Sequence, residues 1–147
     1  EKNTQWQILT PWKYYNYILE NSDYNKLYIV HEDLNNPCLD KFKNLKNYDI
    51  ITQSMSINED LKKLCQCKDL IMTNSTLDVT VYCLAKNLKR IYIPETLMND
   101  EWFPNMDWGI ETKIVILENY NKNNWLGKNL NEKKRLILNY DDKVYFK

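Results

Sequence analysis

Two spacings of apolar residues alternate along this chain. Over residues 11–21, PWKYYNYILEN, the positions Trp12, Tyr15, Ile18 and Leu19 recur at three- and four-residue steps, the period of a helix with one buried face. LYIV at 27–30 and YDIIT at 48–52 are short, nearly unbroken apolar runs of strand length. SINEDLKKLCQC returns to the helical period, with Ile57, Leu61, Leu64 and Cys65 in one stripe and Ser56 and Glu59 at capping-box spacing. Three further strands are predicted at 70–72 (LIM), at 90–93 (RIYI, ended by Pro94) and at 113–117 (KIVIL). Between the first two of these, Leu77, Val81, Leu84, Ala85 and Leu88 form another helical stripe.

Strands that are apolar on both faces, separated by helices, belong to a parallel sheet covered on both sides. The expected fold is therefore α/β: a three-layer, Rossmann-like domain with a mainly parallel five-stranded sheet built from 27–30, 48–52, 70–72, 90–93 and 113–117. At 147 residues, 1–147 is expected to form a single domain with its own core. Sheets of this kind bind ligands beyond the carboxyl ends of their strands, where loops lead into helices.

Composition narrows the partners. Lys plus Arg and Asp plus Glu are equal at 20 each, so overall charge marks neither nucleic acid nor an anionic membrane as a partner. No run approaches the roughly 18–20 apolar residues of a membrane span, and no secretory signal opens the sequence, which reads as soluble and cytoplasmic. Cys38, Cys65, Cys67 and Cys83, with His31 alone and no C-x-x-C, read as buried reduced thiols rather than metal ligands. The 20 asparagines point to codon bias in an AT-rich genome, and NYNKNNW is expected to be an ordered loop anchored by Tyr120 and Trp125. Exposed Trp6, Trp12 or Trp108 would mark a partner surface, homo-oligomeric or otherwise.

The candidate chemistry lies at T-N-S-T, residues 73–76, where an apolar run stops and a helical stripe begins. A strand end that opens a helix points unpaired N–H groups and the hydroxyls of Ser75 and Thr76 into the crevice, a small anion site. A second reading has equal mechanical sense: Ser75 and Asp78 have S-x-x-D spacing and would cap the helix for each other.

Five motifs in series resemble the donor-binding half of alpha-1,2-fucosyltransferases. They are Glu59, Asp60 and Leu61; Cys67 and Lys68; Asn74, Ser75 and Thr76; Pro94; and Trp102 with Phe103. Tyr14 and Tyr15, and YIVHED at 28–33, resemble upstream features of the same family, so the likeness covers about 12–126. The resemblance implies the C-terminal lobe of a two-lobed (GT-B) glycosyltransferase, a hexosyltransferase that moves a sugar from a nucleotide diphosphate, a GDP-sugar, to a glycan acceptor. It places Asn74, Ser75 and Thr76 against the diphosphate and Glu32 and Asp33 near the same crevice, with no metal and no cofactor beyond the donor. Read from the residues alone, Glu32 and Asp33 fit a solvated loop equally well, and Asp60 is expected to be a helix-surface charge.

Two departures bear on catalysis. The family's H-x-R-x-G-D motif, whose arginine holds the diphosphate, has no counterpart here, and the two arginines are Arg90 and Arg135. Leu77-Asp78 stands where the family prefers aromatic and small polar residues, and a carboxylate one turn into a helix repels a phosphate. Three readings stay open: part of a longer transferase with a missing N-terminal half; a degenerate relative that serves as a non-catalytic nucleotide-sugar-binding or interaction module; or a different Rossmann-like α/β domain of phosphate-binding or response-regulator-like kind, against which stand the lack of acidic residues at successive strand ends and of a G-x-G-x-x-G or Walker loop.

Overall fold

The structure is a computed structural model and describes residues 9–32, 34–98 and 107–147. Among these the element order is α1 (Trp12–Glu20), β1 (Lys26–Val30), α2 (Cys38–Lys43), β2 (Asp49–Gln53), α3 (Ile57–Leu64), β3 (Asp69–Ile71), α4 (Thr76–Leu84), β4 (Arg90–Pro94), α5 (Glu95–Met98), β5 (Glu111–Leu117), α6 (Leu130–Asn139) and β6 (Val144–Phe146). Each strand predicted from the apolar runs is present, with ends shifted by one or two residues.

The fold is mixed α/β, and the sheet differs from the one expected. Instead of five strands in one mainly parallel sheet, β1 and β2 form a parallel pair, and β3, β4, β5 and β6 form a second sheet in that order. β3, β4 and β5 are mutually parallel, and β6 runs antiparallel to β5. At the start of the pair, side chains provide the link to the larger sheet: Tyr24 Oη donates to Asp69 Oδ2 at 2.6 Å, and Ser22 Oγ lies 3.3 Å from Tyr92 Oη. The chain just ahead of β1 therefore adjoins β3 and β4.

Alternation along the strands sorts their side chains onto two faces. Ile71, Tyr92, Val115 and Leu117 join a first core with Tyr14, Ile18 and Leu19 of α1, Phe42 of α2 and Ile137 of α6. Leu70, Met72, Ile91 and Ile93 join a second core with Val81 of α4, Leu97 of α5 and, at its margin, Leu61 and Leu64 of α3. Helices thus pack on both faces of the larger sheet, whereas β1 and β2 each keep exposed positions.

Of the three predicted helical stripes, that of α1 holds, with Ile18 and Leu19 buried and Trp12 and Tyr15 packed against the first core, and the other two hold in part. Leu61 and Leu64 pack against the second core, but Ile57, the first residue of α3, is exposed. Leu84, the last residue of α4, is also exposed, and Leu88 is buried in the loop beyond the helix. α2, α5, α6 and β6 had no place in the predicted pattern. α6 begins at a capping box in which Asn129 Oδ1 accepts from Glu132 N at 3.0 Å and Glu132 Oε2 accepts from Asn129 N at 2.7 Å.

At the amino ends of β3, β4 and β5, Asp69, Arg90 and Glu111 stand in register on neighbouring strands. Arg90 Nε lies 2.9 Å from Glu111 Oε1, and its Nη1 lies 3.6 Å from Asp69 Oδ2. Of the tryptophans expected to mark a partner surface, Trp108 is buried against Tyr82 and the half-buried Trp12 packs edge-on against Phe42 at 5.0 Å. Trp6 lies outside the described residues. In the Asn-rich loop Tyr120 and Trp125 are both buried in the first core, so the loop is anchored as expected.

Candidate functional site

The 73–76 segment leaves β3 and enters α4 as the sequence pattern required. What occupies the turn is the loop's own chemistry. Asp78 Oδ2 accepts from Thr73 N at 2.6 Å and from Thr73 Oγ1 at 2.7 Å, so the carboxylate folds back across the turn and closes it. Burial pushes the Asp78 carboxyl up to about 6, against the opposing pull of the two hydrogen bonds from Thr73.

Ser75 is the N-cap of α4, and its Oγ accepts from Leu77 N at 3.2 Å. The reciprocal box expected between Ser75 and Asp78 therefore does not form. Both residues cap, but Asp78 bypasses Ser75 to serve Thr73, two residues further back. Because the Ser75 hydroxyl accepts from Leu77, its proton remains able to donate. Asn74 Nδ2 lies 3.3 Å from Thr96 Oγ1, which ties the loop to α5 at the end of the neighbouring strand. Thr76, the first residue of α4, is exposed.

The acidic strand end divides. Glu32 is exposed, and its backbone carbonyl accepts from Ser54 Oγ at 3.2 Å, beside the end of β2. Asp33 lies outside the described residues, as do Trp102 and Phe103. Asp60 is not the surface charge expected of it. It is buried, and its carboxylate accepts from Gln53 Nε2 at 2.7 Å and from Met55 N at 3.3 Å. The helical period could not reveal this, because the partners are the end of β2 and the loop ahead of the helix rather than a neighbouring helix face.

Tyr14 does structural work beneath the same strand end. Its side chain is fully buried, and its hydroxyl donates to the Met72 carbonyl at 2.8 Å and lies 3.1 Å from the Tyr92 carbonyl. Burial raises its ionisation well above the ordinary phenol range. The T-x-x-x-x-D spacing of Thr73 and Asp78 was the available sequence signal for the closed turn. Nothing in the local pattern marked Tyr14 as its support.

Of the two arginines, one is committed elsewhere. Arg90 pairs with Asp69 and Glu111 at the amino ends of the strands, and Arg135 is carried on α6. All four cysteines are free thiols; Cys38 and Cys67 are pushed up to about 12 and about 11 by burial, whereas Cys83 is exposed rather than buried. Among the described residues no group of three His, Cys, Asp or Glu side chains gathers to hold a metal ion. No helix among them is long and apolar enough to cross a membrane. No family model matches the chain, and no curated protein or solved structure gives a significant match.

Proposed function

We propose that the turn from β3 into α4 binds the diphosphate of a nucleotide sugar, and that the chain is a fucosyltransferase-like, donor-binding α/β domain. The observation that carries the reading is topological. The chain runs from β1 outward to β2 and returns through α3 to β3, and the contacts of Tyr24 and Ser22 draw the start of β1 toward β3 and β4. A reversal of strand order is where parallel α/β sheets open a ligand crevice. Within that crevice the reading assigns Asn74, Ser75 and Thr76 to the phosphates and Glu32 and Asp33 to the rim.

Chemistry supports binding more strongly than transfer. The start of α4 supplies a partial positive charge, typically contributing about 0.3–1 kcal/mol per anion near a surface. Departure of a nucleotide diphosphate needs stronger stabilisation of the leaving charge, of several kcal/mol in comparable sites. Arg90 cannot supply it from the other end of the sheet, and the Asp78 carboxylate opposes it. This favours the second reading, a nucleotide-sugar-binding module without turnover of its own.

Titration calorimetry with GDP, UDP and GDP-fucose, with and without magnesium, tests both readings. Weak GDP-fucose binding is expected, lost in Ser75→Ala by more than the change in stability explains, and tightening as pH falls through about 6 and Asp78 gains a proton. Transfer of fucose to a galactoside by this chain would select the transferase reading over the module. If none of the three ligands binds at any of these pH values, both readings fall.

A further inference from the structure

The balanced overall charge conceals a segregation. Residues 121–147 hold seven Lys and Arg against three Asp and Glu, so the preceding 120 residues carry the compensating negative excess. The positive segment contains α6 and the loop that leads to it. There the apolar stripe of α6 outruns the protein beneath it. Ile137 is 2% exposed in the first core, whereas Leu130, one heptad earlier on the same stripe, is 68% exposed. Leu126, four residues before Leu130, is 54% exposed.

Three lysines lie within a few residues of these two leucines. Lys133 and Lys134 follow Leu130 by one helical turn and share its face, and Lys128 precedes it by two residues. Lys133 Nζ lies 5.8 Å from the centre of the buried Trp125 ring, which holds its stem along apolar surface. The nearest acid in sequence, Glu132, is bound to Asn129 N at the start of the helix. Asp141 and Asp142 lie beyond its far end.

We propose that this corner of the molecule is a peripheral docking surface for an anionic lipid bilayer. Leu126 and Leu130 would enter the interface between headgroups and acyl chains, and Lys128, Lys133 and Lys134 would contact the lipid phosphates. A solvated basic face has no use for two protruding leucines. Nucleic acid would engage the lysines through its phosphates and would make no use of the leucine pair. An anionic interface requires both the apolar pair and the charge. None of these residues belongs to the β3–α4 turn, and the proposal does not depend on what that turn binds.

The test is co-sedimentation of the full chain with phosphatidylcholine vesicles with and without phosphatidylserine, at low and high salt. Binding is expected only with phosphatidylserine, weakening as salt rises. The double change Leu126→Ser, Leu130→Ser should reduce it about tenfold or more, and Lys128→Ala or Lys134→Ala about fivefold each. All four residues lie outside the buried core, so thermal melting should confirm that the variants fold. Leu84→Ser, at an exposed leucine on α4, should leave binding unchanged. Equal binding to uncharged vesicles overturns the proposal, as does indifference to the leucine pair. Retention on RNA that ignores the leucine pair, with no vesicle binding, would assign the cations to a polyanion instead.

Discussion

The units β2–α3 and β3–α4 solve one problem in two ways. In each, a strand ends, a short loop follows, and a serine caps a helix whose early turns carry an acid that turns back onto the loop. In β2–α3 the work is shared by two carboxylates. Glu59 completes the capping box with Ser56, and Asp60 holds Gln53 and Met55 N. In β3–α4 the position equivalent to Glu59 is Asp78, and this single, shorter side chain takes the second role, leaving Ser75 to cap Leu77 alone. Asp60 and Asp78 each reach back five residues, to Met55 and Thr73. What differs is whether a further carboxylate remains for the helix start, and in α4 none does. The unit proposed to meet a ligand thus has the less complete cap of the two.

The most far-reaching way to break this comparison is to titrate it. Asp78 has its ordinary value near 3.8 when unfolded and about 6 when folded, so the native state binds the extra proton between those values. Its contribution to stability therefore rises as pH falls from about 7 toward 4, by up to roughly 3 kcal/mol for a shift of about two units. Asp78→Asn, which keeps an oxygen for Thr73, should be more stable than the parent near pH 7 and lose that part of the slope. Urea unfolding across the pH range measures it, and an unchanged slope would show that Asp78 is not the group responsible.

A smaller effect is expected from Asp60→Ala. Removing this buried acid leaves the half-buried Gln53 amide and the N–H of the exposed Met55 without their charged acceptor, at a cost of about 2 kcal/mol. Chemical denaturation is the readout, and a loss below about 0.5 kcal/mol would return Asp60 to the surface role first expected of it. The smallest difference concerns the caps. Ser56→Ala breaks a reciprocal box and should cost about 1 kcal/mol, whereas Ser75→Ala breaks one bond and should cost less. Equal losses would remove the distinction drawn between the two helix starts.

The same pair explains what could be read in advance. Apolar period located α3, α4 and the strands before them, because burial on one or both faces leaves its mark at fixed spacing. S-x-x-E at Ser56 and S-x-x-D at Ser75 looked alike as spacings, yet only the glutamate is long enough to return to its serine here. The capping box overlooked in the sequence was Asn129 with Glu132, which has the same spacing with Asn as the cap. Strand pairing was less legible still. Nothing in LYIV or YDIIT indicates that β1 and β2 would form their own pair, joined to β3 and β4 through the side chains of Tyr24 and Ser22 and residues 45 and 70 positions away. The candidate site was legible as a strand end opening a helix. Its closure by Thr73 and Asp78 was not, because it is a side-chain bond within a turn.

The row of Asp69, Arg90 and Glu111 has a consequence for alignment. Partly exposed ion pairs of this kind add little to stability, typically about 0–1 kcal/mol. Their value lies in what they penalise. If β4 slipped by one residue, Arg90 would leave both acids at once, and Ile91 and Ile93 would trade faces with Tyr92, sending a phenol into the second core and the isoleucines toward α1. The row acts as a proofreader of strand register. High salt during refolding should therefore increase the share of misaligned chains while hardly moving the melting temperature of those that align correctly.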